Sequence, residues 1–553
     1  MLSLSTDNMP ALIIHGHFYQ PPRENPWTGL IDPEPSAQPF HDWNECVYAE
    51  CYRPNASVPI VNTVLGQEQL VNNYAQISFD FGPTLLSWLA RQHPETYARV
   101  IAADAESSLQ HHGHGNAIAH AYNHTILPLS NERDRRTQVR WGMADFRYRF
   151  GREPESIWLP ETACNDEVFG LLIDEGLRFV ILAPQQAARV RKSRTGIPAC
   201  PSSSAASSVS ETSAFMNEGQ TGKSVLQNDA WETVGRDTID TSVAYSYFHR
   251  DGSGRSIAVF FYDQQLAHAI AFEQALTSSA ALVERFAQRQ TARPGLINIA
   301  TDGETYGHHH KFGELCLAYA LAVDAPARGF TITNYGEYLD QHPPAMEVEI
   351  SNGELGEGSS WSCVHGVSRW IRDCGCHTGG AAGWNQAWRT PLRAALDFLR
   401  DAAASHFEAR RGELFTDPWV ARDDSISLIL DEQRSREQFL QAHAPRTLTH
   451  DEGRKALLFL ELQRNTQLMY TSCAWFFNDI SGIEPVQILK YASRAIELMN
   501  ELGLPSARRR FLEILSEAKS NRSEMGTGAD IFRRLVEPSN PSFTPEREEM
   551  LTR

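Results

Sequence analysis

The feature that most constrains the fold is an alternation of short apolar runs with helix-length amphipathic segments over the first ~330 residues. Strands that alternate with helices are typical of α/β proteins, because the helices connect parallel neighbours of one sheet. The turn sequence Asp251-Gly252-Ser253-Gly254 separates two strand-like runs and predicts a β-hairpin. The clearest predicted strands are 11–14, 156–159, 179–182, 257–261 and 296–300, and the clearest predicted helices are 83–92 and 133–150.

The pattern changes to helical beyond residue ~380, where apolar residues recur at helical spacing along 392–399 and 488–499. We therefore predict a barrel-like α/β domain over residues 1–330, a junction over 331–380 that contributes aromatic side chains to a cleft, and an all-α domain over 381–553. Residues 201–228 are rich in Ser and other polar residues, which predicts a mobile insertion without a catalytic role.

The net charge disfavours some partners, and the cysteine content indicates the cellular location. The 553 residues include 50 Lys plus Arg and 68 Asp plus Glu, and the formal net charge of −18 disfavours nucleic acid and anionic membranes. The sequence has no signal peptide pattern at its start and no apolar run of membrane-spanning length. Nine scattered cysteines, an odd number, favour reduced thiols and a cytoplasmic location.

Histidine and carboxylate side chains follow four of the predicted strands. Because the carboxyl ends of the strands in a parallel β/α barrel form one face, we expect these side chains to meet there. A single carboxylate after a strand is more often a helix N-cap, but four such strand ends in one domain favour a site. The residues are His15 and His17 after the first run, then Glu161, Asp263 and Asp302.

Two carboxyl groups that face one pocket suit the cleavage of glycosidic bonds. One attacks or stabilises the developing oxocarbenium ion, and the other protonates the leaving oxygen. The spacing in the sequence does not say which carboxylate has which role.

Histidines and cysteines raise the question of a metal. His111, His112, His114, His120 and His124 lie close together, and the last two would share a face of a helix. We interpret the histidines as groups that bind sugar hydroxyls or line the cleft. Cys363, His365, Cys374, Cys376 and His377 do not have the spacing of a regular zinc ribbon or finger, so we predict no metal and no cofactor.

Tryptophans cluster in the predicted junction and just beyond it: Trp361, Trp370, Trp384 and Trp388. Tryptophan rings stack on the apolar faces of sugars, but each of these rings could equally pack in the core between the domains.

Several of these segments resemble glycoside hydrolase family 57, whose members act on α-glucans. His15-Gly16-His17-Phe18-Tyr19-Gln20-Pro21 resembles the first family motif, with two additional residues before Gln20, and Gly113-His114-Gly115-Asn116 lies where the second is expected. Trp158-Leu159-Pro160-Glu161 matches the third motif, and Asp302-Gly303-Glu304-Thr305-Tyr306-Gly307-His308 resembles the fourth. Trp361 and Trp370 resemble a tryptophan pair of the branching enzymes.

The resemblance implies a (β/α)7 barrel followed by helices, and a retaining mechanism on an α-glucan or oligosaccharide. It implies that Glu161 is the nucleophile and Asp302 the general acid/base, with the two carboxyl groups about 5–5.5 Å apart. It also implies substrate binding by His15, His17, His114, Trp158, Asp263, Trp361 and Trp370, with Glu304 and His308 in supporting positions.

One departure bears on the reaction. Branching enzymes carry a Ser-Ser-Asp-Trp run in the helical domain, whereas Thr471-Ser472-Cys473-Ala474-Trp475 has no Asp before the Trp. We therefore expect an amylase or 4-α-glucanotransferase. The alternatives are a metal-dependent polysaccharide deacetylase or α-mannosidase-like hydrolase on a related barrel, and a non-catalytic glycan-binding protein.

Overall fold

The computed structural model describes residues 9–62, 67–193, 230–431 and 433–541. The predicted mobile insertion, residues 201–228, lies outside the described residues. No helix of the described ranges is long and apolar enough to cross a membrane.

Seven parallel strands form a closed barrel, which confirms the predicted (β/α)7 fold. In chain order they are β1 Ala11–Phe18, β2 Ser78–Phe81, β3 Ala119–His120, β4 Ile157–Trp158, β5 Phe179–Leu182, β6 Ser256–Phe261 and β7 Ile297–Asp302. From β1 to β6, neighbours in this order are joined by parallel pairing or by single bridges, and β7 pairs back with β1.

The ring closes between β6 and β7 without a regular ladder. There the backbone N–H of Asp263 donates to the carbonyl of Asn298 at 2.6 Å, and Nδ2 of Asn298 donates to the carbonyl of Phe261 at 2.9 Å. The apolar residues of β1, β5 and β6 are buried, as expected for strands covered on both faces.

The predicted hairpin is present: Ala244–Phe248 pairs antiparallel with β6. Met346–Ile350 adds to this hairpin and pairs with Ala187–Lys192, so the first part of the predicted junction belongs to a sheet that extends from the barrel. The remaining strands are Val58–Asn62, Gln67–Val71, Glu232–Thr233 and Thr331–Ile332.

Helices connect the barrel strands on the outside. The predicted helix over 83–92 is observed as Pro83–Gln92, and the one over 133–150 as Glu132–Phe150. The latter begins after Asn131, whose side chain accepts from the N–H of Asp134, and ends at Gly151 with φ of 68°. The other barrel helices of five or more residues are Trp43–Val47, Pro94–Gln110, Asp166–Asp174, Gln264–Phe272, Ser279–Ala292, Gly313–Tyr319 and Tyr335–Gln341.

The C-terminal region is helical, and it buries a second core. The predicted apolar face of the helix Ile483–Glu501 is fully buried, with Ile488, Ala492, Ala495, Ile496 and Met499 at most 4% exposed. The helices of five or more residues are Arg389–Glu408, Pro418–Asp424, Ile426–Leu430, Arg436–His443, His450–Leu468, Ile483–Glu501 and Arg508–Leu515.

Candidate active site

The register of three adjacent strands determines the base of the site. His17 on β1 lies beside Asp302 on β7 and beside Asp80 on β2. Because parallel strands in register place equivalent positions at one level, the three residues lie side by side where the strands end. This is the carboxyl end of the barrel, where the sequence predicted the site.

Asp80 is a buried hub that the sequence analysis missed. Its two carboxylate oxygens accept hydrogen bonds from Nε2 of His15 at 3.0 Å and Nδ1 of His17 at 2.9 Å. Nδ1 of His15 in turn bonds Oγ of Ser78 at 3.0 Å. Both Asp80 and His15 are fully buried, so His15 positions the carboxylate and does not reach a substrate.

Three imidazoles converge above Asp80: His17, His120 and His124. The Nε2 atoms of His17 and His124 are 3.3 Å apart, and all three residues offer ligand atoms within 4.8 Å of one another. Each Nδ1 is held from outside, by Asp80, by the carbonyl of Ala121 at 2.7 Å and by Oγ of Ser472 at 2.6 Å. Burial lowers the pKa of His17 to about 3 and of His120 to about 4, and that of His124 well below its usual value. The cluster is therefore neutral at pH 7.

The hydrogen-bond partners fix the ring tautomers. Asp80 and the carbonyl of Ala121 only accept, so His17 and His120 carry their protons on Nδ1. The short His17–His124 contact then requires that Nε2–H of His124 donates to His17, and that Ser472 donates its hydroxyl proton to Nδ1 of His124. Nε2 of His120 has no hydrogen-bond partner among the described residues.

Glu161 follows β4 in a strained turn. Its φ is 60°, and that of Thr162 is 51°, a conformation that costs non-glycine residues about 1–3 kcal/mol each and concentrates at functional sites. Oε2 of Glu161 accepts from Nε1 of Trp361 at 3.0 Å and from Oγ of Ser362 at 2.5 Å. The backbone N–H of Trp361 also donates to the carbonyl of Glu161, at 3.0 Å. The junction segment thus holds the carboxylate in one orientation.

Asp302 has different surroundings. Its side chain is exposed to solvent at the carboxyl end of β7. The loss of hydration there and the negative charges of Glu161 and Asp80 raise the pKa of Asp302 to about 7. Among the described residues its carboxyl group has no hydrogen-bond donor comparable to those on Glu161.

Glu304 forms buried hydrogen bonds at the carboxyl end of the barrel. It is buried and accepts from the hydroxyl of Tyr52 at 2.6 Å and from the N–H of Tyr19 at 3.1 Å. Burial outweighs these bonds, and with the charge of Asp302 it raises the pKa of Glu304 to about 8. Glu304 therefore joins the two loops that follow β1 and β7.

The three tryptophans that were predicted to bind substrate lie in different surroundings. Trp361 is half-buried at the site and bonds Glu161. Trp158 is 1% exposed and stacks beneath His15 and His17, with ring centroids 4.8 and 4.9 Å away. Trp370 is also 1% exposed, and its Nε1 donates to the carbonyl of Ser472 inside the helical core. The prediction that Trp158 and Trp370 contact substrate is wrong, because both rings are enclosed by protein.

Three other predicted residues do not join the site. His114 lies at the opposite, amino end of the barrel, where Nδ1 bonds Glu155 at 3.0 Å and Nε2 bonds Asp340 at 3.1 Å. Asp263 is the N-cap of the helix Gln264–Phe272, and its other oxygen pairs with Arg289. His308 bonds Glu50 at 2.6 Å in a separate loop. One oxygen of Asp263 thus caps its own helix, as in the N-cap interpretation, and the other is held by the helix Ser279–Ala292.

The structure adds His120, His124, Ser362 and Ser472 to the site. His120 and His124 do not share a helix: the first ends β3, and the second has φ of 53° in the turn that follows. In the sequence, the histidine-rich stretch was the signal that pointed to these two residues. Asp80 stands in a buried strand between Phe79 and Phe81, which was a signal for a partnered polar group, whereas nothing in the sequence points to Ser472.

Solved structures share this fold. An exo-type maltose-forming amylase from Pyrococcus sp. ST04 superposes with a TM-score of 0.60 at 15% identity, covering 91% of this chain and 82% of its own. A GH57-type branching enzyme from Pyrococcus horikoshii gives 0.51 at 13% identity, covering 97% and 98%. At such low identity the likeness concerns the fold alone. No curated protein matches the sequence.

Two family models match separate parts of the chain. Residues 384–545 match a domain of unknown function, DUF3536, which corresponds to the helical region. Residues 103–351 match glycosyl hydrolase family 57, and this stretch includes β3 to β7 with both Glu161 and Asp302. Residues 103–351 of this chain are therefore similar to glycosyl hydrolase family 57.

Proposed function

We propose that this protein cleaves or transfers α-glucosidic bonds with retention of configuration, with Glu161 as nucleophile and Asp302 as general acid/base. The observation that carries the proposal is the contrast between the two carboxyl groups. Two hydrogen bonds on one oxygen hold Glu161 in a fixed orientation, whereas Asp302 has no such donors among the described residues and its pKa is raised to about 7. An oriented carboxylate beside a carboxyl group that keeps its proton near neutral pH suits the roles of nucleophile and acid.

The reaction follows from these two roles of Glu161 and Asp302. The Glu161 carboxylate attacks the anomeric carbon while the glycosidic C–O bond breaks, and the Asp302 proton passes to the leaving oxygen. The Asp302 carboxylate then takes a proton from water or from an acceptor hydroxyl, whose oxygen displaces Glu161 from the anomeric carbon. The separation of about 5–5.5 Å between the carboxyl groups remains a prediction.

The family supports an α-glucan as the substrate, since the two similar structures are named as an amylase and a branching enzyme. Cys473-Ala474-Trp475 favours hydrolysis or simple transfer over branching, because no carboxylate precedes Trp475. The acidic charge and the absence of a disulfide among the eight described cysteines support a cytoplasmic location.

Product analysis with maltoheptaose and amylose tests the proposal. Short sugars alone indicate a hydrolase, and a ladder of longer and shorter chains indicates a glucanotransferase. Glu161→Gln should abolish either pattern while circular dichroism shows an unchanged fold. Full activity in that variant, or binding of every glucan tested without turnover by the wild type, would overturn the proposal.

A metal-assisted hydrolase is the second candidate, and one observation favours it. The rings of His17, His120 and His124 converge, and Nδ1 of His17 and of His120 donates to an acceptor outside the cluster, which is how zinc ligands are oriented. If this candidate is correct, His120→Gln should remove a bound metal and the activity together, and added zinc should restore wild-type protein after chelation. Full activity in chelator would exclude it.

A further inference from the structure

Three cysteines and one histidine of the junction converge on one point. Cys363, His365, Cys374 and Cys376 offer ligand atoms that all lie within 4.8 Å of one another. Sγ of Cys363 is 3.8 Å from Sγ of Cys374 and 3.8 Å from Sγ of Cys376. Nδ1 of His365 is 3.5 Å from Sγ of Cys376.

These distances match the edges of a zinc tetrahedron. With Zn–S of about 2.3 Å and Zn–N of about 2.0–2.1 Å, tetrahedral angles place two sulfurs about 3.8 Å apart and a sulfur and nitrogen about 3.5 Å apart. A disulfide would need sulfurs at about 2.05 Å, so the cysteines are not paired in that way. Four protein ligands also leave no open position, which is typical of structural rather than catalytic zinc.

The charge around the cluster is complementary to bound zinc. Three thiolates and Zn²⁺ sum to one negative charge. Arg389 is fully buried, and its Nη1 donates to the carbonyl of Cys376 at 3.1 Å. Its Nε and Nη2 have no hydrogen-bond partner in the described part of the chain, and no carboxylate there forms an ion pair with it. A buried guanidinium needs a negative counter-charge, and the hydrogen bond to the carbonyl of Cys376 places it next to the proposed ligands.

The segment that carries the four residues has little regular secondary structure. Between Met346–Ile350 and Arg389–Glu408, the only regular element among these described residues is the short 3-10 turn Ser368–Trp370. Cys363 directly follows Trp361 and Ser362, which hold Glu161. A segment with so few backbone ladders needs another source of order, and a metal cross-link across residues 363–376 supplies one.

We propose that Cys363, His365, Cys374 and Cys376 bind one structural zinc ion, which fixes the segment that carries Trp361 and Ser362 against Glu161. The prediction of no metal from the sequence followed from the irregular spacing, but folding brings the two halves of the ligand set together. Only the link to Glu161 rests on the proposed function.

Metal analysis of the purified full chain is the first test. We expect about one zinc per chain in the wild type, and near zero in Cys374→Ser and His365→Ala. Cys316→Ser and His377→Ala are the matched controls, a buried cysteine and a neighbouring histidine outside the cluster, and both should keep the zinc. Zinc-free wild type, or zinc lost from His120→Gln but kept in Cys374→Ser, would overturn the proposal.

Thiol alkylation of the wild type is a second test that needs no variant. Cys374 and Cys376 are only half-buried, so zinc should protect them from iodoacetamide until a chelator removes it. Modification before chelation would show free thiols. Modification only after a reducing agent would show a disulfide, and either result contradicts the zinc site. Neither test depends on catalysis, so each stands if the glucan proposal fails.

The link to Glu161 has its own measurement. In Cys374→Ser we expect kcat/KM for maltoheptaose to fall about tenfold, since Glu161 loses donors to a charged group. Ser362→Ala, which keeps the cluster, should give a similar fall with the zinc retained. Unchanged activity in zinc-free protein would overturn this link.

Discussion

The two ends of the barrel use histidine in opposite ways, although one stretch of chain supplies both. At the amino end, His111, His112 and His114 bond carboxylates of Glu337 and Glu155. The hydrogen bond that His114 donates to Glu155 raises the pKa of His114. At the carboxyl end, the rings of His17, His120 and His124 stack on one another, and burial lowers their pKa values.

The difference shows that the surroundings, rather than the residue type, decide what a histidine can do. At the amino end the imidazoles bond carboxylates and tie together residues that are distant in the sequence. At the carboxyl end the imidazoles are neutral, and Nε2 of His120, which has no hydrogen-bond partner among the described residues, can accept a hydrogen bond from a substrate. The following predictions test this division.

The largest effect should come from Asp302→Asn. We expect kcat on maltoheptaose to fall about 1000-fold, because the variant has no proton to give to the leaving oxygen. Aryl maltosides with an acidic leaving group should lose much less in the first step, since they need no protonation. Asp263→Asn, which alters a helix cap instead, should keep most of the activity. Equal losses on both kinds of substrate would contradict the role of acid.

Asp80→Asn should come next. The change leaves His15 or His17 with a buried donor unpaired, so we expect the free energy of unfolding to fall by about 2 kcal/mol and kcat by about 100-fold. Denaturant titrations and kinetic assays measure the two effects. The control at the amino end is Asp340→Asn, whose partner is His114, and there we expect a change within about 0.5 kcal/mol and normal activity. Similar losses in both variants would show that the histidine–carboxylate contacts at the two ends of the barrel do not differ in this way.

The free energy of unfolding should fall in acid because of the buried histidines at the carboxyl end of the barrel. The folded pKa of His120, about 4, lies below the unfolded value of 6.5, so its contribution is complete above pH 6.5 and is lost as the pH falls toward 4. The loss is about 1.4 kcal/mol per pH unit. Unfolding titrations of His120→Gln should show a slope between pH 6.5 and 4.5 that is smaller by this amount.

His114 should act in the opposite sense. Its folded pKa is raised, so its contribution is complete below pH 6.5 and disappears as the pH rises through the folded pKa. His114→Gln should therefore remove a loss of stability above pH 6.5 and leave the acid slope unchanged. A change in His120→Gln that is confined to pH above 6.5 would contradict the neutral cluster.

The pH dependence of catalysis tests Asp302 without any variant. Since the pKa of Asp302 is about 7, kcat/KM should fall about tenfold per pH unit above that value, as the acid loses its proton. His114→Gln should leave this limb in place. A rate that stays constant to pH 9 would show that Asp302 is not the essential acid.

The sequence by itself determined the class of fold and the position of the carboxylates in it. The apolar runs that became β1, β5, β6 and β7 were visible because strands buried on both faces must be apolar. Glu161 and Asp302 follow two barrel strands, as the sequence predicted.

Only the tertiary structure decided which neighbours these groups have. Ser472 reaches His124 from the helical domain, and Ser362 reaches Glu161 from the junction, across 348 and 201 residues of sequence. The same holds for Trp158 and Trp370, since a tryptophan in a core and one in a cleft are identical until the chain packs around them. Contacts, burial and pKa depend on distances in space, and the order of residues sets these only through the complete fold.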